Sequence, residues 1–203
     1  MTLTTLSFDH VVEIVSVLSD AFHEYPVMRH VLGPDAPGGA PYKVRLHRLV
    51  QLFVSARAYR DEPMMGVRDD SGVLVAAAVM SLPQPSNPRP AFIALRESIW
   101  AELGADARSR YDAYMAAANF FATRPPHHHL NMIGVRRTHQ RLGLARELLD
   151  AVHRLAGSDP QSAGVSLTTE RDENLPFYER FGYTVVGHAR VGPDLETWGL
   201  FRA

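Results

Sequence analysis

Apolar positions along the chain repeat with two periods, and the order in which those periods follow one another sets out its organisation. Thr2 to Leu6 alternates with period two, as a strand does. Asp9 precedes Val11, Val12, Ile14, Val15 and Leu18, apolar at helical spacing, so a helix capped by Asp9 is expected to end between Phe22 and Tyr25, ahead of Pro26. A Gly/Pro-rich loop, Gly33 to Pro41, leads into a longer helix from Tyr42 to about Tyr59. Met64 to Arg68 and Val73 to Leu82 are apolar runs around Asp69-Asp70-Ser71-Gly72, a hairpin by composition. After the prolines between Pro83 and Pro90, two helices are expected over Phe92 to Leu103 and Ala107 to Thr123, separated at Gly104.

Pro125-Pro126 closes that pair, and His127 to Val135 is expected to be a central strand. A helix follows with Leu142, Ala145, Leu148, Leu149, Val152 and Leu155 on one apolar face. Gly157 to Gly164 is a loop, Val165 to Thr169 a buried strand, and a short helix starting at Asn174 is closed by Gly182. Tyr183 to Val186 and Glu196 to Phe201 complete the sheet. The strand-helix-strand unit over 127–169 is expected to be parallel and right-handed within an otherwise mainly antiparallel sheet. With no repeat or linker in sight, residues 1–203 are read as a single mixed α/β domain.

The junction Val135-Arg136-Arg137-Thr138-His139-Gln140-Arg141-Leu142-Gly143-Leu144-Ala145 carries the chemistry. A strand runs through a short polar turn into a helix whose first N–H groups lack intrahelical partners, and the helix dipole places positive charge at the same point. Gly143 keeps no side chain between that end and an anion, and Ala145 intrudes little. A nucleoside-triphosphate loop would need Gly-Lys-Ser/Thr here, and a dinucleotide loop three glycines; neither is present.

Gln140-x-x-Gly143-x-Ala145 resembles the acyl-coenzyme A loop of the GCN5-related N-acetyltransferase (GNAT) family. Asn174, Tyr178, Gly182 and Tyr183 reproduce a second block of that family, in the right order and spacing. The C-terminal end, with Glu196-Thr197-Trp198, resembles the branch containing the puromycin N-acetyltransferases, over roughly residues 127–203. The resemblance implies a fold in which two central parallel strands splay apart, flanked by helices, with acetyl-coenzyme A as acyl donor. It implies that Ile133, Gly134 and Val135 meet the pantetheine arm, that Gln140, Arg141, Leu142, Gly143, Leu144 and Ala145 cradle the pyrophosphate, and that Asn174 and Tyr178 lie against the same ligand. Asn174 could equally be a plain helix N-cap. Arg136, Arg137, Arg141 and Arg146 sit where coenzyme phosphates would reach them, or form a solvated face.

Tyr178 is implied as the general acid that protonates the departing thiolate; a brace between helix and sheet is the alternative. The general base is harder to assign. The family often has a glutamate on the central strand where Asn131 stands, and the related branch one where Thr168 stands, and neither residue takes a proton at neutral pH. His127 and His129 share one face of that strand, and His129 is the candidate base. A relay to Glu97 or Glu170, or an amine that arrives neutral, remains open. His127-His128-His129 has no carboxylate close in sequence to complete a metal site, so no metal is expected.

Composition narrows the alternatives. Without cysteine, thiol nucleophiles and zinc-thiolate sites are excluded, and the net charge of −1 gives no pull toward nucleic acid. No apolar stretch approaches the length of a membrane helix and no signal peptide opens the chain, so a cytoplasmic enzyme free of membrane is expected. The expected acceptor is a small-molecule primary amine, acetylated directly in a ternary complex; a homodimer is left open. A protein or aminoglycoside acetyltransferase is the alternative within enzymes, and a non-catalytic acyl-coenzyme A-binding regulatory domain the alternative outside them. Met64, Met65, Met80, Phe92 and Trp100 could line an acceptor pocket or pack the core.

Overall fold

A computed structural model describes residues 1–35 and 38–203. Seven strands, β1 (Thr2–Leu6), β2 (Met64–Arg68), β3 (Leu74–Ser81), β4 (His128–Val135), β5 (Val165–Thr169), β6 (Thr184–Val191) and β7 (Leu195–Arg202), form one sheet in the order β1-β2-β3-β4-β5-β7-β6. Every neighbouring pair is antiparallel except β4 and β5. The helices α1 (Val11–Ala21), α2 (Pro26–Leu32), α3 (Tyr42–Ala58), α4 (Pro90–Leu103) and α5 (Ala105–Ala117) share one apolar core with one face of the sheet. α6 (Leu144–Ser158) and α7 (Leu175–Glu179) share a second core with the other face. The expected mixed, mainly antiparallel sheet with one parallel pair is what the chain forms.

Local differences have local causes. Asp9 does not cap α1: it lies inside a short 3-10 turn, Phe8–His10, fastened by the Ser7 hydroxyl against His10 Nδ1 at 3.0 Å. Pro26, read as a stop, is the first residue of α2, where its missing N–H costs nothing. The loop expected over 33–41 lies between α2 and α3 with those bounds, and positions 36–37 fall outside the described residues. α5 ends at Ala117 rather than Thr123, and the strand after Gly182 continues to Val191.

β3 is buried on both faces. Ala77 and Val79 join the core under α1–α5, while Ala76, Ala78 and Met80 join the one under α6. β4 breaks its alternation once. Val79 pairs with Met132 and Met80 with Leu130, so Asn131 is an extra residue, a β-bulge. The effect is visible in the cores: Leu130 packs under α6, whereas Met132, two residues on, packs under α1–α5. Without the inserted residue both would share a face.

Gly134 lies where α1 crosses β4. A Cβ there would stand 2.7 Å from Ala21 Cβ and 3.0 Å from Leu18 Cδ2, so glycine is required by the close approach of the helix. Gly134→Ala should therefore destabilise the fold by about 1–3 kcal/mol, the usual cost of overpacking. Equilibrium urea unfolding measures it, and an unchanged midpoint would show that α1 yields without cost.

Candidate active site

β4 and β5 pair only at His128↔Val165 and His129↔Ser166. Beyond His129 they diverge, β5 keeping its full pairing with β7 and β4 with β3. The direction of the backbone groups on the opened edge follows from one hydrogen bond. Arg136 N–H donates to Val75 O at 2.8 Å, so residue 136 points toward β3. Strand residues alternate the edge they address. Gly134 therefore also points toward β3, while Ile133 and Val135 point into the opening. Of the three strand residues expected to meet a ligand, Ile133 and Val135 address the opening. Gly134 does not: its backbone belongs to the β3 ladder, and its lack of a side chain serves α1.

At the outer end of the opening, Arg141 has φ 66° and Gly143 φ 82°, a left-handed pair around Leu142 just before α6. None of the N–H groups of Arg141, Leu142, Gly143, Leu144 and Ala145 donates to a backbone carbonyl; the first helical bond runs from Glu147 N to Gly143 O, 3.1 Å. Such successive free donors form an anion-binding concavity at the positive end of the helix. A Cβ on Gly143 would meet nothing within 4 Å, so its glycine answers to the backbone conformation and leaves open space in front of the loop. Gln140 reaches back, Nε2 donating to Val135 O at 3.4 Å. Leu144 contributes its side chain to the core beneath α6, and only its backbone to the loop. Of the four arginines, Arg136 is tied to Leu74 O and Ser16, and Arg137 to Asp20. Arg146 lies over the Phe181 ring, 5.5 Å from its centroid.

At the inner end the opening meets a cavity of about 420 Å³. His129, Asn131, Ile133, Thr168, Glu170, Asn174 and Tyr178 line it from the sheet side, and residues of α2–α5 from the other. Glu170 is the group the sequence placed least well. It lies just past β5, two residues beyond Thr168 and thus on the same face. Its Oε1 accepts from Tyr114 Oη and Thr197 Oγ1, each at 2.8 Å. Burial raises its pKa above the usual carboxylate range, and those hydrogen bonds only partly oppose the shift. Thr168 and Glu170 both reach Tyr114, which joins the two positions in one cluster. Glu97 is elsewhere, on the surface between Arg96 and Arg108.

Tyr178 is buried on α7 and faces this cavity. Burial first, and the Glu170 charge second, hold its phenol well above the ordinary tyrosine pKa. Asn174 makes no capping bond; its Nδ2 donates to Thr169 Oγ1 at 3.0 Å, and Thr169 meets Tyr25 Oη at 3.0 Å. Asn131 offers its Oδ1 to Ser81 (3.0 Å) and Arg57 (3.3 Å). His129 faces the cavity with Nδ1 2.8 Å from Ser166 Oγ, and burial together with the Arg57 charge pulls its pKa to about 4. It is neutral at pH 7 but a poor store for a proton, so Glu170 is better suited to the base's task. His128 is bound to Ser162 at 2.9 Å, on the opposite face. Among the described residues no group of three or more His, Asp or Glu is placed to hold a metal ion, and no helix is long and apolar enough to cross a membrane. Phe92 and Trp100 line the cavity, while Met64, Met65 and Met80 pack the two cores.

A central parallel pair splayed beside a donor-rich helix start is the architecture of the GNAT acetyltransferases. Residues 110–195 match the family model of the acetyltransferase (GNAT) domain, and the fold is shared with solved acetyltransferases. A Corynebacterium glutamicum protein described as histone acetyltransferase HPA2 and related acetyltransferase is similar at 18% identity and TM-score 0.68, over 99% of this chain and 94% of that one. A mosquito arylalkylamine N-acetyltransferase-like protein is similar at 13% identity and TM-score 0.60, over 99% and 98%. The C-terminal condensation domain of Ebony, in complex with beta-alanyl-dopamine, shows 12% identity and TM-score 0.65, over 99% and 97%. At these identities the likeness is one of fold.

Glu170 generates a stability prediction. A carboxyl whose pKa is higher folded than unfolded binds its proton more tightly when folded. Its contribution is fully present below the unfolded pKa and is lost as pH rises through the folded one. Glu170→Gln keeps an acceptor for Tyr114 and Thr197 but no charge. It should melt above the parent protein near pH 8, with the gap closing toward about pH 4. A gap that widens on acidification would mean that the site stabilises the carboxylate.

Proposed function

We propose that the chain transfers an acetyl group from acetyl-coenzyme A to a primary amine of a small molecule, directly, within a ternary complex. It acts as a single domain in the cytoplasm. The observation that carries this reading is the continuity of the opening: free N–H donors over residues 141–145 at one end, the unpaired edge at Ile133 and Val135 along it, and Glu170 with Tyr178 at the other. The free donors and the open space before Gly143 fit a pyrophosphate, and the unpaired edge fits an extended amide-bearing arm. Acetyl-coenzyme A supplies the activated thioester. The likeness of Glu196-Thr197-Trp198 to the puromycin branch gains a role for Thr197, which holds Glu170.

In this mechanism Glu170 takes one proton from the incoming ammonium, which frees the nitrogen lone pair to form the new N–C bond. An N–H of the β4 edge faces the oxygen on which charge develops, an effect worth about 3–4 kcal/mol in comparable sites. As the C–S bond breaks, Tyr178 gives its proton to the sulfur and is reprotonated by the second proton of the nitrogen. The order matters. While Glu170 is charged it opposes a tyrosinate beside it, and once protonated it no longer does.

Calorimetric titration with acetyl-coenzyme A is the first test. The parent protein should bind saturably, and Gly143→Asp should weaken binding about tenfold or more, because it sets a negative side chain and a strained φ at the loop. Unchanged affinity would move the pyrophosphate site elsewhere. Initial velocities should give intersecting lines; parallel lines would replace direct transfer with an acyl-enzyme.

Tyr178→Phe should lower kcat by about 10²-fold with little change in coenzyme affinity, the lower range of general acid effects. Unaltered turnover would leave Tyr178 as a brace for α7.

A further inference from the structure

Resting on the acetyl-transfer reading, we infer that the acceptor is a monocationic amine with an apolar, aromatic-sized body, and that the segment before β4 selects it. The cavity behind Glu170 is bounded by α2–α5 and the end of α1. Apart from most of α5, those helices lie outside the matched acetyltransferase segment. Their contribution to the wall is mainly apolar, with Phe22, Met28, Phe53, Phe92, Trp100 and Tyr111 around the space. A pocket of this size and lining takes a compact apolar ligand held by a few polar groups.

Charge completes the selection. Among the described residues Glu170 is the only acidic one on the cavity wall, and three arginines, Arg57, Arg60 and Arg96, share that wall. Arg57 is neutralised by buried Glu62, its Nε 3.0 Å from Oε2, so it is not free to be balanced by a ligand. Glu170 has hydroxyl partners and no cationic one: Tyr114 and Thr197 donate to it, and Tyr25 lies beside its backbone. A single ammonium placed there gains the missing counter-charge, with aromatic faces around it. A second positive charge farther out would meet Arg60, since Arg96, like Arg57, already has an acidic partner, in its case Glu97. Polyamines, aminoglycosides and basic peptides are disfavoured on that ground, and a long polar chain would leave its hydrogen bonds unmade against the apolar wall.

The test compares 2-phenylethylamine with putrescine, and uses phenylethanol as the uncharged control. Binding is followed first without acetyl-coenzyme A, by tryptophan fluorescence, since Trp100 lines the cavity. Phenylethylamine should bind about tenfold or more tighter than putrescine. Glu170→Gln should weaken phenylethylamine about tenfold and leave phenylethanol unaltered, and Ala56→Trp, which fills the space between the helices, should weaken both aromatic ligands. In thiol release, kcat/KM should follow the same order. Putrescine bound or acetylated as well as phenylethylamine, or aromatic binding indifferent to Ala56→Trp, would overturn the inference. Phenylethylamine binding that obeys these rules, without thiol release from any amine, would instead sink acetyl transfer and leave the selective cavity standing.

Discussion

Everything functional in this molecule depends on two strands declining to pair. A parallel ladder normally continues until one strand ends, because each backbone N–H and C=O left unpaired away from water is costly. Here β4 and β5 part after His129 while both continue for several residues. The separation is tolerated because each strand is held on its other side, β5 by β7 and β4 by β3. The bulge at Asn131 adds to it, since an inserted residue bends a strand and increases its local twist. The result is a sheet with an interior edge that lacks a strand partner at Ile133 and Val135.

The two ends of that opening are built on different principles. The outer end is backbone chemistry: a left-handed Arg141, a left-handed Gly143 and the start of α6 hold donors in place with almost no help from side-chain charge. The inner end is side-chain chemistry under desolvation. Glu170, Tyr178 and His129 are all displaced from their ordinary pKa values by burial before anything else, the carboxyl and phenol upward and the imidazole downward. Each shift favours the neutral form. Raising the proton affinity of the Glu170 carboxylate suits it to accept a proton from a substrate in a closed site.

The sequence was most informative where backbone geometry dictates residue type, and least where tertiary packing brings distant residues together. The hairpin over Asp69 to Gly72 and the Gln140–Ala145 turn are local patterns found at their expected places, as is the apolar face of α6 except for Leu142, which lies exposed before the helix begins. α2 was hidden because Pro26 stops one helix and starts the next with equal propriety. Glu170 was visible only as one distant carboxylate among two. Its role depends on Tyr114, 56 residues away, and Thr197, 27 residues away, and no periodicity connects positions on α5, β5 and β7. Gly134 shows the opposite error, since adjacency to Ile133 and Val135 drew it into the ligand set. Strand alternation turns its backbone to the other side.

Asn131 shows how one substitution redistributes work within such a site. On the bulge it faces the cavity, the place from which a strand carboxylate could accept a proton directly. An amide there accepts hydrogen bonds from Ser81 and Arg57, and a carboxylate would have formed an ion pair with the same guanidinium. Arg57 already carries Glu62 as its buried partner, so a second acid on the bulge would add a buried charge without a matching cation. In the proposed mechanism the proton-accepting function falls to the other wall of the opening, where Glu170 meets hydroxyls instead of a cation. A base held only by hydroxyls keeps a high pKa and readily binds a cationic substrate, whereas one paired with arginine would do neither. In that mechanism, an amide at position 131 beside the Arg57–Glu62 pair leaves Glu170 as the group that accepts the proton.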